Sequence, residues 1–304
     1  MTGAFRLGLD MGGTKIEAVL LDADGAELAR QRTAMPAGDY PAALQATREL
    51  VREIETQAGV NAAGAGIGTP GTLSPRTGLL RNAHSTPLAL QPVDKDLERV
   101  LERPIRLGND ANCFALAEAQ SGAAKGAPVV LGAILGTGVG GGVIIRGEPI
   151  VGINAIGSEW GHNRLPAATV DELDAPRCDC GRTGCVEAWC SGPALTRDHF
   201  SRTGSEMDPP MICAFADAGD AGARESLDLH AARLARGLAL VVNIVDPDVI
   251  VLGGGLSKMR HLYSVLPDLM RPHVATDDFN TPVVENQLGD SAGVIGAAWL
   301  CPVE

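Results

Sequence analysis

The sequence predicts an α/β protein built on a duplicated unit of strand, glycine turn and strand. Three observations carry this reading. An apolar run at residues 6–9 leads into Asp10-Met11-Gly12-Gly13-Thr14-Lys15 and then into IEAVLL. The same order returns near residues 129–146, where VVLGAIL is followed by GTGVGGG and then by VIIRGEPIV. Two copies so far apart are a weak internal duplication, not a short-period repeat array. The third observation is length: 304 residues correspond to about two domains at ~150 residues each. No low-complexity linker divides the chain, so the boundary is expected at a hinge between packed lobes near residue 120.

The elements are justified in chain order. IEAVLLDADGAELARQR reads as strand, Asp24-Gly25 turn and strand, because a turn dipeptide between apolar runs signals a hairpin. Residues 40–58 have helical periodicity. Residues 62–68 read as a buried strand ending in Thr69-Pro70-Gly71. A helix at 94–102 and a short strand at 104–108 deliver Asn109-Asp110, and a helix continues from there to about residue 121. The strand at 129–135 leads into the second glycine turn, 136–142, and VIIRGEPIV is again a strand. A long helix at 222–246, a strand at 249–255, a helix at 257–271 and a short apolar helix from Ala292 to Leu300 complete the chain.

Composition sets limits on function. Apolar residues make up 45% and charged residues 20%, enough for a real core and too apolar for disorder. The net charge is −12, which argues against a protein that mainly grips nucleic acid or an anionic membrane. No apolar run approaches the ~18 residues of a membrane span. The N-terminus lacks the apolar core of a secretory signal. A cytoplasmic protein with reduced thiols is the expectation.

The glycine turns are candidate ligand sites. Clustered backbone N–H groups at such turns can cradle an anion. Gly12, Gly13 and Thr14 form the first candidate, with Asp10 placed to hold a metal ion or its water. Gly136, Thr137 and Gly138, with Gly140, Gly141 and Gly142, form the second. Gly253, Gly254 and Gly255 form the third, at a strand end of the kind where α/β proteins bind ligands. The plain alternative is three tight turns. The pattern G-x-x-x-x-G-K-[ST] is absent. Gly136, Gly138 and Gly141 match G-x-G-x-x-G, but the residues after them, VIIRGEPIV, are β-rich, whereas a dinucleotide motif should open a helix.

Asp110 sits between a strand and a helix, flanked by Asn109 and Asn112. It could accept a proton from a hydroxyl; a helix N-cap is the competing reading. Glu159 in GSEWGH and Glu187 in GCVEAW flank a cysteine cluster. There are seven cysteines. Cys178, Cys180 and Cys185 fall on one tight loop, and His162 lies sixteen residues before it. Together they make a Cys3His set, the composition of a structural zinc site; unrelated free thiols are the alternative. Cys190 is a poorer ligand on an apparent helix, and Cys113, Cys213 and Cys301 read as small buried apolar residues.

These motifs together resemble the ROK family (repressors, open reading frames and kinases). LGLDMGGTK is similar to the family's first phosphate motif, LGTGVGGG to its second and DPDVIVLGGGLS to its adenosine-side segment. NDAN carries the family's catalytic aspartate, and EWGH followed by CDCGRTGC is similar to its sugar-and-zinc signature. The resemblance covers nearly the whole chain. It implies an actin-like (ribonuclease H-like) two-lobed sugar kinase fold. Residues 1–120 plus 290–304 would form the smaller lobe and 121–289 the larger.

The resemblance also implies roles. Asp110 would be the base that activates a sugar 6-hydroxyl. Gly71, Asn109, Asp110, Glu159, His162 and Glu187 would contact the sugar. Asp10, Gly12, Gly13, Thr14, Lys15, Gly136, Thr137, Gly138, Gly254 and Gly255 would bind ATP with Mg2+. His162, Cys178, Cys180 and Cys185 would bind structural Zn2+. A homodimer is implied. The family's repressors carry an added N-terminal helix-turn-helix; the phosphate motif starts here at residue 10, so a kinase without nucleic-acid or membrane partners is expected. Residues 81–97, EWGHNRLP and the segment GDSAGVIGAAWLCPVE look most like fructokinases that also accept mannose. NDANCFALAEA and ILGTGVGGG also resemble N-acetylglucosamine kinases. Fructose is the first expectation. N-acetylglucosamine and glucose are alternatives within the family, and a sugar sensor without catalysis is the alternative outside enzymes.

Overall fold

The computed structural model describes residues 5–83, 86–172 and 175–301. His84 and Ser85 of the 81–97 segment, and the last three residues, lie outside them. The chain folds into two compact units. Unit 1 comprises residues 1–126, 147–157 and 288–304, and unit 2 comprises 127–146 and 158–287. Residues 147–157, expected in the larger lobe, thus cluster with the first unit.

Unit 1 is built on a five-stranded sheet. β1 (Arg6–Met11), β2 (Lys15–Leu21) and β3 (Glu27–Ala34) form an antiparallel meander, and β4 (Ala65–Thr69) and β7 (Ile105–Asn109) extend it in parallel, in the order β3-β2-β1-β4-β7. A small hairpin of β5 (Thr72–Leu73) and β6 (Leu80–Arg81) follows β4. One face of the sheet packs on α1 (Tyr40–Ala58) and α2 (Val93–Leu101). In α1, Ala43, Leu44, Thr47, Leu50, Val51 and Ile54 form a buried stripe at helical spacing. Its ends are set locally. Asp39 accepts from the Ala42 amide at the N-terminus, and Gly59, with φ +69°, takes the left-handed C-terminal position.

The other face carries α9 (Ala292–Leu300), which lies against β1, β4 and α3 (Asp110–Ser121). This helix is apolar on all sides, as a helix buried between two layers must be. Glycines set how close it comes. A Cβ on Gly8 would lie 2.6 Å from the Ala298 amide nitrogen, and one on Gly66 would strike the Ala297 carbonyl. At its end the Arg6 guanidinium stacks 3.9 Å from the Trp299 ring and donates to the Cys301 carbonyl at 3.0 Å. The two-residue strand β10 (Glu148–Pro149) also belongs to this unit.

Unit 2 repeats the plan. β8 (Val129–Leu135) and β9 (Val139–Ile145) form an antiparallel hairpin, while β11 (Val249–Gly253) and β12 (Val283–Glu285) continue in parallel, in the order β9-β8-β11-β12. The core is completed by α4 (Val186–Cys190), α5 (Gly192–Thr203), α6 (Pro209–Asp217), the 25-residue α7 (Ala221–Val245) and α8 (Arg260–Met270). Among the described residues no helix is long and apolar enough to cross a membrane.

Several sequence expectations change. The second glycine turn is shorter than predicted: Gly140, Gly141 and Gly142 lie inside β9. Space explains the glycine at 141, since a Cβ there would lie 2.6 Å from Trp160 Nε1. The strand predicted through VIIRGEPIV stops at Ile145, where Arg146 (φ +52°) and Gly147 (φ +82°) turn the chain. The 257–271 helix starts at Arg260, after a 3-10 turn at Gly255–Lys258. The strand at 249–255 ends at Gly253, because Gly254 (φ +80°) leaves the extended region. The helices α5 and α6 and strand β12 are new.

Gly66→Ala is expected to destabilise the protein by about 1–3 kcal/mol, because a methyl group there overpacks the sheet–helix contact. Urea denaturation measures it; a variant as stable as the parent would sink this account of α9 packing.

Candidate active site

Unit 1 gathers four predicted residues at the carboxyl ends of neighbouring parallel strands. Asp10 is near the end of β1, Gly71 follows β4, and Asn109 and Asp110 close β7 and open α3. This is where open parallel sheets bind ligands. Asp10 lies over a glycine floor: a Cβ on Gly68 would be 3.6 Å from its Oδ1, and one on Gly293 3.1 Å from its Oδ2. Burial pushes the Asp10 carboxyl up to about 6; Lys15 opposes the shift and the Asp110 and Glu17 carboxylates add to it. Burial also raises Asp110, against hydrogen bonds from backbone amides that include Ala111. A raised carboxyl is a better proton acceptor near neutral pH. The buried Thr69 Oγ1 and Asn112 Oδ1 have no hydrogen-bond partner among the described residues. Orphaned polar atoms beside two acids fit a polar ligand.

The helix cap is not Asp110. Asn109 caps α3, its Oδ1 accepting from the Asn112 amide at 2.9 Å, and Asp110 is the first helical residue. The Asp110 carboxylate is thus not used as the cap. The cap occupies one of the two polar atoms that Asn109 would offer a sugar. In the first glycine turn, the Gly12 amide donates to the Lys15 carbonyl at 3.0 Å and Lys15 Nζ pairs with Glu17 at 2.7 Å. Gly13 and Thr14 are exposed at the tip and are the better-placed donors. Gly71 has φ +78°, and a Cβ there would strike the Arg81 carbonyl, so both its conformation and its space require glycine.

Unit 2 holds a cavity of about 750 Å³ lined by Gly136 and Thr137 of the predicted second phosphate motif and by Gly255 of the predicted adenosine-side segment. Its other walls come from helices absent from the sequence expectations: Gly192, Pro193, Thr196, Arg197 and Phe200 of α5, and Pro209 and Pro210 of α6, with Glu206 and Leu256. The wall is mostly apolar with a few polar groups, as a nucleoside needs. Ser191 caps α5 and Asp208 caps α6, each followed by proline in the first turn. Ser-Gly-Pro and Asp-Pro-Pro are helix-start signals, and they are the pattern that marks these walls in the sequence. The Gly136 amide closes the turn on the Gly138 carbonyl. Gly254 packs against β8, where a Cβ would lie 3.0 Å from the Leu135 amide nitrogen. Of the predicted glycines here, Gly136 and Gly255 line the cavity.

His162, Cys178, Cys180 and Cys185 converge, with their ligand atoms all within 4.8 Å of one another. Cys180 and Cys185 sulfurs are 3.6 Å apart, and Cys178 Sγ is 3.6 Å from His162 Nδ1. Bonds of ~2.3 Å to a tetrahedral zinc would put sulfurs about 3.8 Å apart. The donor set and spacing therefore fit Zn2+. Burial pushes the Cys178 thiol up to about 12, while the Arg182 amide draws Cys180 down to about 6. Cys190 is buried on α4 and outside the cluster.

Glu187 lies between the cysteine–histidine cluster and the glycine turn. Its Oε2 accepts from the Val139 amide at 3.0 Å, and its Oε1 is 3.3 Å from Cys178 Sγ and 3.8 Å from His162 Nδ1. Glu159 precedes the 3-10 turn Trp160–His162 and its carbonyl accepts from the His162 amide. Elsewhere in unit 2, buried Glu172 pairs with Arg233 at 3.0 Å and Arg236 at 2.7 Å, which holds its carboxyl down at about 2.

The chain belongs to the ROK family, whose model matches residues 6–304. It is 38% identical over 299 residues to an N-acetyl-D-glucosamine kinase of Yersinia pseudotuberculosis serotype O:3 (strain YPIII), covering 96% of this chain and 97% of that one. The structure is similar to a ROK hexokinase from Thermus thermophilus, with TM-score 0.88, 34% identity and coverage of 98% and 97%. It is also similar to a ROK family glucokinase from Streptomyces griseus in complex with glucose and AMPPNP, with TM-score 0.74, 28% identity and coverage of 98% and 99%.

Protein purified without chelator is expected to carry about one zinc per chain, and removing it to lower the melting temperature, because a closed Cys3His site contributes directly to folding. Elemental analysis and thermal melts check this; purified protein without zinc would sink the assignment. The Asp10 carboxyl is ionised above about 6 and takes a proton as pH falls through that value. The Mg2+ concentration needed for half-maximal rate should therefore rise between pH 7 and about 5.5. A flat Mg2+ requirement across that range would contradict a role for Asp10 in holding the cation.

Proposed function

We propose that this ROK sugar kinase transfers the γ-phosphoryl group of MgATP to the 6-hydroxyl of N-acetyl-D-glucosamine, with Asp110 as general base. Whole-length similarity to N-acetyl-D-glucosamine kinases carries the substrate reading. The resemblance to fructokinases rests on short segments, parts of which (His84, Ser85 and residues 302–304) lie outside the described structure. The paired, burial-raised Asp10 and Asp110 carboxylates speak for a catalyst and against a sensor.

The mechanism is built from the residues in place. Asp110 accepts the proton of the attacking hydroxyl, helped by a carboxyl raised by burial and left open by the Asn109 cap. Thr69 and Asn112 offer buried polar atoms to sugar hydroxyls. Gly13, Thr14 and Thr137 supply donors to the phosphates, and the apolar cavity of unit 2 takes the adenosine. Mg2+, held through Asp10, neutralises phosphate charge when bound. Phosphoryl transfer depends on such positioning and charge stabilisation, so no covalent intermediate is required. His162, Cys178, Cys180 and Cys185 would hold zinc with a closed donor set, and so would support the shape of the pocket.

ADP release with MgATP across N-acetylglucosamine, glucose, mannose and fructose tests the reading. N-acetylglucosamine should give the highest kcat/KM; a clear preference for fructose or glucose would overturn the substrate. No turnover with any sugar would bring the sensor forward. Asp110→Asn should fold normally and lose about 10²–10⁴-fold in kcat; near-normal turnover would remove Asp110 from the role of base.

A further inference from the structure

Unit 1 contains a segment whose shape its own burial does not explain. Residues 150–157 have no regular secondary structure, yet Ile150, Val151, Ile153 and Ile156 are exposed, Ile153 by 89%. Ala155 sits in the left-handed region at φ +50°, which a residue with a side chain disfavours. The loop closes on itself through Gly157 N–H to the Val151 carbonyl at 2.9 Å and Ala155 N–H to the Gly152 carbonyl at 3.1 Å.

Its side-chain tethers come from the β5–β6 hairpin. One nitrogen of the Arg81 guanidinium, Nη2, donates to the Asn154 carbonyl at 2.8 Å and the Ala155 carbonyl at 3.2 Å. Arg81 Nε donates to Thr72 Oγ1, and Thr72 Oγ1 donates to the Ala155 carbonyl, both at 3.3 Å. The hairpin that carries Arg81 starts directly after Gly71, and Gly71 packs on the Arg81 carbonyl. At its other end the segment runs straight into Ser158-Glu159-Trp160-Gly161-His162. One guanidinium therefore joins the stretch after Gly71 to the stretch before Glu159, the two chain segments on which the sugar reading depends.

We infer that Arg81 is a positioning residue for sugar binding. It does not touch the reacting atoms. It holds the carbonyls of Asn154 and of the left-handed Ala155, so that the chain enters the Glu159–His162 stretch in one conformation. The planar guanidinium suits this task because several N–H groups in a fixed fork can serve two carbonyls and a hydroxyl together. Losing it leaves an exposed loop with a left-handed alanine and no charged anchor, and sugar binding then has to order that loop. The inference rests on the reading of the chain as a sugar kinase, and not on which hexose is preferred.

The test is steady-state kinetics and sugar calorimetry on Arg81→Ala and Arg81→Lys, using whichever hexose the panel ranks first. Arg81→Ala should raise the sugar KM and the calorimetric sugar Kd about tenfold, while kcat and the MgATP KM stay within about twofold. Arg81→Lys, which keeps the charge and can serve one carbonyl, should recover part of the affinity. A melting temperature within a few degrees of the parent separates positioning from general destabilisation. An unchanged sugar Kd, or a parallel loss in kcat and MgATP KM, would overturn the inference. Since the calorimetry needs no turnover, it stands apart from the outcome of the substrate panel.

Discussion

Where helices cross the sheets of this protein, backbone meets backbone, and that close approach sets the positions of everything else. In unit 1, Gly8 and Gly66 let α9 lie on β1 and β4, and Gly296 lets it press on the Cys113 carbonyl of α3. In unit 2, Gly141 and Gly237 receive the Trp160 indole, and Gly161 lies on the Val139 carbonyl. Well-packed interiors resist even one added methyl group, so each crossing is held closely in place. The carboxyl ends of the strands inherit that precision. Gly293 leaves room for the Asp10 carboxylate, since a Cβ there would lie 3.1 Å from its Oδ2.

The site stores unfavourable energy that the packing sustains. Two carboxylates are desolvated near each other, and buried polar atoms of Thr69 and Asn112 lack partners among the described residues. Each unsatisfied buried group costs on the order of 1–3 kcal/mol. A fold with less secure crossings would relax by moving the strand ends apart. Rigidity in the sheets and helices is thus what allows these carboxyls to stay desolvated near each other.

Much of this is legible in the sequence, for a physical reason. Glycine turns, the strand before Asp10, the Asn109-Asp110 junction and the Cys3His spacing are local features whose chemistry needs particular residues at particular positions. The cavity of unit 2 is less legible because its walls are α5 and α6, whose apolar faces are short and whose caps carry the signal. The length of the second turn is obscured for a different reason. Gly141 answers to a tryptophan far along the chain, whose indole donates to the Gly140 carbonyl, and no local pattern reports that. The choice between fructose and N-acetylglucosamine is hardest, because it turns on the shape of a pocket rather than on any single motif.

Glu187 ties the fates of two segments that are far apart in the chain. One of its oxygens accepts from the amide that follows the glycine turn, and the other faces the cysteine–histidine cluster. A Cβ at Gly138 would lie 2.6 Å from that carboxylate. A side chain at position 138 would therefore have to move the Glu187 carboxylate, and with it the oxygen that accepts from the Val139 amide and the one that faces the cluster.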